Sequence, residues 1–233
     1  MGIVACNLLK SARKTFDHEK ARNKTQEAIL NLLAVVGSPR KGKATDLLVD
    51  RAIEGVKSRA PNCDIKKLNL IEYDIQHCRN CLACRKSKTN EPYAKCAIRD
   101  DMQQIYKDVL NSDVLIFGTP VHMGYATALM MSFLERICWT FAKPEKGYLT
   151  IRGCPLPRSD KKRKAVIIVT SGIIPPLYRR FCDQATPLIK SVIKDSLNAE
   201  TAGDMYAGNI ENRGVDCYYN KAFKLGEELV RNT

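Results

Sequence analysis

The chain has 233 residues, a formal net charge of +13 and 45% hydrophobic residues, which suits one domain of ordinary size with a substantial core. No apolar run approaches the roughly 18 residues that span a bilayer, and the N-terminus lacks the apolar segment of a secretory signal, so we expect a cytoplasmic protein. In that reducing compartment the ten cysteines are expected to be thiols, metal ligands or redox groups rather than disulfides.

Residues 1–27 form a basic extension before the first strand. Its apolar residues could share one helical face, which favours a helix packed on its own domain or on a dimer mate; the alternative is a membrane-surface helix. Most of the positive charge lies in residues 1–45 and 143–164. Such an excess suits phosphorylated coenzymes or an acidic electron partner. We do not expect a nucleic-acid partner, because the basic stretches carry no reader motif and no interleaved aromatic residues.

From residue 28 onward, apolar runs alternate with helical patterns. The sequence predicts five strands with amphipathic helices between them, and this alternation indicates a parallel sheet covered by helices on both faces. The predicted domain spans residues 28–233, with a cysteine-rich insertion at 78–96. Residues 143–164 are too rich in proline and charge for a core element and are expected to form a surface loop, coenzyme lid or partner contact. The predicted strands are Leu30–Val36, Asp64–Leu70, Val114–Gly118, Lys164–Thr170 and, more weakly, Thr201–Tyr206.

The stretch GSPRKGKAT at residues 37–45 follows the first predicted strand and resembles the start of an ATP-binding P-loop. The residue after Lys43 is Ala44 rather than the hydroxyl residue that would hold magnesium, and no predicted strand ends in the required aspartate. Without a metal, the hydroxyls of Ser38 and Thr45, the guanidinium of Arg40 and the following helix N-terminus suit a phosphate monoester. The alternative is an ordinary strand-to-helix turn with a solvated basic rim.

Three motifs together resemble the NADPH-dependent FMN reductase group of the flavodoxin-like fold, and within it the iron-sulfur flavoproteins. They are GSPRKGKAT, CRNCLACRKSKTNEPYAKCAIRDDM and SDVLIFGTPVHMGYATALMMSFLERI. The resemblance implies a doubly wound α/β sandwich with a five-stranded parallel sheet and an FMN phosphate on the first loop. It also implies an isoalloxazine ring on Pro120–Gly124, with edge contacts from Thr170–Gly172. The implied cofactor-binding residues are Ser38, Arg40, Lys43, Ala44, Thr45, Pro120, Val121, His122, Met123, Gly124, Thr170, Ser171 and Gly172.

His122 stands where the group usually has an aromatic residue after the Pro-Val step. It could donate a hydrogen bond or a proton near the flavin, but a lone histidine more often has a packing or positioning role. The sequence identifies no other catalytic candidate.

Four cysteines form the candidate metal site. Cys78, Cys81 and Cys84 recur every three residues, and Cys96 follows after eleven more. Thiolates at this spacing can hold three corners of a [4Fe–4S] cluster, and the fourth closes the site. Structural zinc more often uses two separated Cys-x2-Cys pairs. A cluster, free or redox-active thiols, and zinc remain the three alternatives.

The leading hypothesis is an FMN-dependent oxidoreductase that exchanges electrons between FMN and a [4Fe–4S] cluster, with NAD(P)H or a ferredoxin as electron donor. One rival is a clusterless NAD(P)H-dependent FMN or quinone reductase. Another is a non-enzymatic electron carrier that docks an acidic ferredoxin. The resemblance implies a homodimer or homotetramer, because the flavin of this group sits at a subunit boundary.

Overall fold

The computed structural model of the protein describes residues 29–144 and 155–231. The basic extension 1–27 and the middle of the segment 143–164 lie outside the described residues. The strands are β1 (Asn31–Val36), β2 (Asp64–Asn69), β3 (Val114–His122), β4 (Tyr125–Ala126), β5 (Ala142–Pro144), β6 (Pro155–Pro157), β7 (Arg163–Thr170) and β8 (Ala199–Ala207).

The main sheet has five parallel strands in the order β2-β1-β3-β7-β8, and β4 pairs antiparallel with β3. This is the strand order of flavodoxin-like sheets. The described helices are α1 (Ala44–Arg59), α2 (Ala83–Lys86), α3 (Met102–Asn111), α4 (Ala128–Phe141), α5 (Arg179–Cys182), α6 (Ala185–Leu197), α7 (Ile210–Arg213) and α8 (Tyr219–Leu229).

The central strands are buried on both faces, and their side chains alternate between two cores. In β3, Leu115 and Phe117 join the core that α3, α4 and α6 cover. Val114 and Ile116 join the other core, beneath α1 and α8. The predicted strands are present, and the central strands β1, β3 and β7 form because their continuous apolar runs supply both faces at once.

Helices α1 and α8 approach each other closely through two glycines. A Cβ on Gly226 would lie 1.9 Å from the carbonyl oxygen of Ala52, and a Cβ on Gly55 would lie 2.0 Å from that of Phe223. Any larger side chain at either position would force the helices apart.

Three features differ from the sequence prediction. Strand β3 extends to His122 and turns back through β4, and the weak fifth strand is a full strand of nine residues. In the segment 143–164, residues 143–144 belong to β5 and Pro155–Pro157 form β6, and these two strands pair as a small antiparallel ribbon rather than a loop. Proline is tolerated there because a two-stranded ribbon has free edges. Residues 163–164 begin β7. Every helix within residues 29–144 and 155–231 is too short or too polar to span a bilayer.

Candidate flavin site and cysteine segment

The loop between β1 and α1 (residues 37–43, the candidate phosphate loop) is held in shape by hydrogen bonds to its own backbone. The buried Ser38 hydroxyl accepts a hydrogen bond from the Arg40 N–H at 3.2 Å. Gly42 adopts φ +68°, a left-handed conformation that glycine tolerates best, and its N–H donates to Asp46 at 2.6 Å. Lys43 stands at the helix N-cap without a capping side chain. The first-turn N–H groups of α1 are thus free to bind an anion.

Of the three cations in this loop, Arg40 and Lys43 are free to bind such an anion, whereas Lys41 is not. Lys41 is ion-paired with Glu72, and Lys67 neutralises the buried Asp46 at 2.5 Å. Neither Arg40 nor Lys43 pairs with a carboxylate of residues 29–144 or 155–231. The loop therefore presents an uncompensated positive charge beside the helix N-terminus.

The carboxyl ends of β3 and β7 form the opposite wall. The Thr45 and Thr170 hydroxyls are hydrogen-bonded at 2.7 Å, which ties α1 to the end of β7. A Cβ on Gly118 would lie 2.5 Å from Val49, so glycine lets α1 pack directly on β3. Together these elements enclose a cavity of about 380 Å³ lined by Ser38, Arg40, Lys43, Ala44, Thr45, Pro120, Val121, His122, Thr170, Ser171, Gly172, Ile210 and Glu211.

Thr127 joins this cavity wall to helix α4. Its hydroxyl caps α4 by accepting from the Met130 N–H at 3.2 Å and donates to the Gly37 carbonyl at 2.5 Å. Its own N–H donates to the Thr119 hydroxyl at 3.3 Å. One buried threonine thus fixes the phosphate-loop backbone, the end of β3 and the start of α4 relative to one another.

The cavity contains eleven of the thirteen cofactor-binding residues expected from the sequence. Met123 and Gly124 are not part of its wall. They form the turn between β3 and β4 at positive φ, and Met123 is 98% exposed.

Ile210 and Glu211 line the cavity but were not expected from the sequence. Their N–H groups donate to the carbonyls of Ser171 and Gly172 at 3.1 and 3.0 Å. A Cβ on Gly172 would lie 2.4 Å from the Glu211 carboxylate, so this acid lies directly over the loop.

A larger cavity of about 750 Å³ lies where β7 and β8 begin, lined by Arg163, Lys190, Lys194 and neighbouring residues. Ligands of open parallel sheets bind at the carboxyl ends of the strands, which is the opposite edge. Arg163 is buried there, and its guanidinium donates to backbone carbonyls that include those of Ser112 and Leu197. We therefore place the candidate flavin site in the smaller cavity.

The cysteine segment consists of the predicted insertion 78–96 and its flanking residues, and it lies between β2 and α3. Cys78 and Cys81 are exposed, Cys84 and Cys96 are half-buried, and all four are free thiols. Burial, followed by the proximity of Cys96 and Cys78, raises the pKa of the Cys84 thiol. No three His, Cys, Asp or Glu side chains of the described ranges gather closely enough to hold a metal ion.

A buried ion pair holds both ends of this segment. Arg136 on α4 donates to the Asp100 carboxylate at 2.5 and 2.9 Å and to the Gln76 carbonyl at 2.7 Å. The Gln76 N–H donates to Asp100 at 2.9 Å. Burial by itself would raise the pKa of Asp100, but the hydrogen bonds from Arg136 and the backbone outweigh it and lower that pKa.

The phosphate loop and the cysteine segment contact different parts of α4. Thr127 touches the phosphate loop, and Arg136 touches the cysteine segment. Nine residues at 1.5 Å of rise each separate these contacts by about 14 Å along the helix axis.

Solved structures of other proteins share this architecture. The FMN-dependent NADH-azoreductase from Bacillus anthracis str. Ames Ancestor in complex with FMN has a TM-score of 0.62 at 12% identity, covering 87% of this chain and 100% of that chain. The NAD(P)H:quinone oxidoreductase from Methanothermobacter marburgensis has a TM-score of 0.60 at 15% identity, covering 88% and 98%. The protein thus has the flavodoxin-like fold, as its sequence predicted.

The family follows from the sequence match. A model of the family described as NADPH-dependent FMN reductase matches residues 30–153, just over half of the chain. The chain therefore belongs to the NADPH-dependent FMN reductase family. This membership confirms the family resemblance found in the sequence.

Curated relatives carry the name iron-sulfur flavoprotein. The relative from Archaeoglobus fulgidus is 29% identical over 107 residues, which are 46% of this chain and 48% of the relative. The relative from Methanosarcina thermophila is also 29% identical over 107 residues, covering 46% and 52%. The chain thus spans about half the length of the curated relatives it matches.

Proposed function

We propose that the protein is an FMN-dependent oxidoreductase whose FMN binds in the cavity between the phosphate loop and the ends of β3 and β7. The observation that carries the proposal is the phosphate cradle, in which the free first-turn N–H groups of α1 lie beside Arg40 and Lys43. A metal-free cradle of this kind suits the terminal phosphate of FMN. The cavity volume of about 380 Å³ lies within the range of cofactor sites.

Each wall of the cavity has a distinct task. The phosphate loop binds the phosphate group, while Pro120–His122 and Thr170–Gly172 orient the ring from two sides. When bound, FMN supplies hydride acceptance and single-electron release, so it can link NAD(P)H to one-electron partners. The proposed unit is one flavodoxin-like domain over residues 28–233 that carries the cysteine insertion at 78–96.

The first test concerns the phosphate cradle. Arg40→Ala should weaken FMN binding by about tenfold or more, because a charge-assisted hydrogen bond contributes about 1.5–3 kcal/mol. Lys41→Ala is the matched control: it removes a cation from the same loop, but one that is ion-paired with Glu72. Quenching of flavin fluorescence measures both affinities. Equal affinities for the two variants, or copurification of FAD instead of FMN, would contradict the assignment.

We further propose that Cys78, Cys81, Cys84 and Cys96 bind a [4Fe–4S] cluster. Four free thiols on one segment are the donor type that iron-sulfur clusters require, and the curated relatives are named iron-sulfur flavoproteins. Asn80 and Leu82, which lie between the first three cysteines, have positive φ of 48° and 62°. These conformations turn the backbone sharply between successive thiols, as a loop wrapped around a compact centre requires.

The cluster is tested by its iron. Anaerobically reconstituted protein should contain stoichiometric iron and sulfide, and Cys81→Ser should remove the visible absorbance of the cluster while FMN stays bound. Cys217→Ser is the control, because Cys217 is exposed and lies outside the segment. Wild-type protein without iron and sulfide would favour the clusterless reductase. That alternative agrees with the positions of the four thiols, because no three of them gather closely enough in the described ranges to hold a metal ion. Oxidation of NAD(P)H without ferredoxin would exclude the simple electron carrier.

A homodimer or homotetramer is the proposed assembly. Several large apolar side chains between β7 and α6 are exposed, including Ile173, Leu177 and Phe181 at 67%, 83% and 77%. Exposed apolar side chains clustered in one segment favour an interaction surface there. Light scattering of the flavin-loaded protein tests the assembly, and a monomer would refute it. An acidic ferredoxin remains a proposed electron partner, on the basis of the net charge of +13.

A further inference from the structure

Glu211 brings a carboxylate to the wall of the candidate flavin cavity. Its N–H donates to the Gly172 carbonyl at 3.0 Å, and the preceding N–H, that of Ile210, donates to the Ser171 carbonyl at 3.1 Å. Because Gly172 has no side chain, the Glu211 carboxylate lies where a Cβ would be, with Oε1 2.4 Å from that position. The loop after β8 is therefore packed on the loop after β7, and this packing places the carboxylate at the cavity.

This carboxylate has no partner within residues 29–144 and 155–231, where Glu211 forms no ion pair and its side chain makes no hydrogen bond. Glu211 is the single acid among the described lining residues of the cavity, which also include Arg40 and Lys43. The two cations belong to the loop after β1, whereas Glu211 follows β8, and β3 and β7 lie between these strands. The cavity is therefore positive at the phosphate loop and negative at the opposite wall.

This distribution of charge restricts the ligand. A ligand that fills the cavity takes water away from the Glu211 carboxylate, and a desolvated charge without a hydrogen bond is costly. The ligand therefore has to bring a hydrogen-bond donor to this wall while its anionic group occupies the phosphate loop. The oxidised isoalloxazine ring has one N–H donor, at N3, whereas its carbonyl oxygens and its other ring nitrogens only accept. The ribityl hydroxyls are the alternative donors.

We propose that Glu211 is a specificity-determining residue for the flavin, whose carboxylate accepts a hydrogen bond from the ring N3–H and so fixes the ring at this wall. The inference rests on the proposed FMN site. Removal of the carboxylate has two opposite effects on FMN affinity, because it deletes an acceptor and also a negative charge that repels the phosphate. 3-methyl-FMN carries a methyl group in place of the N3 hydrogen but keeps the phosphate. The ratio of the two affinities therefore isolates the hydrogen bond.

Titration of the flavin-free protein with FMN and with 3-methyl-FMN, followed by flavin fluorescence, measures this ratio. Wild type should prefer FMN by about tenfold or more, as expected for a hydrogen bond to a charged acceptor. Glu211→Ala should reduce the preference by about tenfold. Glu211→Gln keeps a neutral amide oxygen as acceptor and should lie between the two. Glu200→Ala is the matched control: it removes an exposed acid from the other end of β8 and should keep the wild-type preference.

The outcomes separate this inference from the FMN site itself. Equal preferences in wild type and Glu211→Ala, or an equal loss in Glu200→Ala, would overturn the inference while the FMN site stands. Equal affinities of wild type for the two flavins would also overturn it and would favour the ribityl hydroxyls as donors. If Glu211→Ala binds neither flavin, an intermediate preference in Glu211→Gln supports the inference and a wild-type preference overturns it. Wild-type protein that binds no FMN would refute the proposed function, and this inference with it.

Discussion

Replacement of Thr127 by valine removes one hydroxyl without changing the shape of the side chain. Loss of the cap on α4 should cost about 1 kcal/mol. Loss of the donor to Gly37 leaves a buried carbonyl without its partner, at a cost of about 1–3 kcal/mol. The free energy of unfolding should therefore fall by about 2–4 kcal/mol. FMN affinity should fall as well, because the hydroxyl positions the phosphate-loop backbone.

Thr140→Val is the matched control for this change. Thr140 is equally buried on the same helix, but its hydroxyl donates to the Arg136 carbonyl one turn back and is paired with the Tyr106 side chain rather than with the phosphate loop. Urea unfolding of the flavin-free proteins, followed by circular dichroism, gives the two losses of stability, and fluorescence quenching gives the FMN affinities. Thr127→Ser should restore both quantities. If Thr127→Val were no more damaging than Thr140→Val, the proposed role of this hydroxyl would be wrong.

Two further predictions concern packing and pH. Gly226→Ala should cost several kcal/mol, because the new Cβ would lie 1.9 Å from the Ala52 carbonyl oxygen. Gly214→Ala, with no atom within 4 Å of the new Cβ but with φ +75° and ψ 158°, should cost less, about 1–3 kcal/mol of backbone strain. Thermal unfolding compares the two variants. The pKa of Asp100 is lowered in the folded state, so the ionised carboxylate stabilises the fold above about pH 4, the ordinary range of a carboxyl group. This contribution to stability is lost as the pH falls through the folded-state pKa. Asp100→Asn should therefore reduce stability by about 3–5 kcal/mol at pH 7, by leaving Arg136 unpaired, and should flatten the acid limb of the stability curve measured by urea unfolding. An unchanged acid limb, or equal costs for the two glycine variants, would contradict these assignments.

The sheet was predictable from the sequence because its central strands are buried on both faces. Their apolar runs are continuous, so no knowledge of distant neighbours was needed. Strand β8 was harder to predict because Gly203 and Asp204 interrupt its apolar character. Because the end of this strand was uncertain, the loop that follows it was not recognised as part of the site, and Ile210 and Glu211 were not predicted. The signal that could have found them is Gly208-Asn209, a turn directly after that strand.

The location of the cysteine segment could not be predicted from local sequence. The spacing of the cysteines suggested a common centre, but the segment is fixed by Asp100 and Arg136, which lie 36 positions apart. Nothing near either residue in the sequence indicates its partner. The same holds for Arg158, which meets Cys84 across 74 positions. Pairings of this kind depend on tertiary structure, whereas motifs depend on neighbouring residues.

The contacts of α4 with the phosphate loop and with the cysteine segment restrict how its length can change. An α-helix turns by about 100° per residue, so one residue inserted between Thr127 and Arg136 would rotate the arginine away from Asp100 as well as move it along the axis. Insertion of three or four residues would nearly restore the rotation but would still move Arg136 by about 5 Å. Homologous proteins that keep both contacts should therefore have the same number of residues between these two positions, however much the surrounding loops vary.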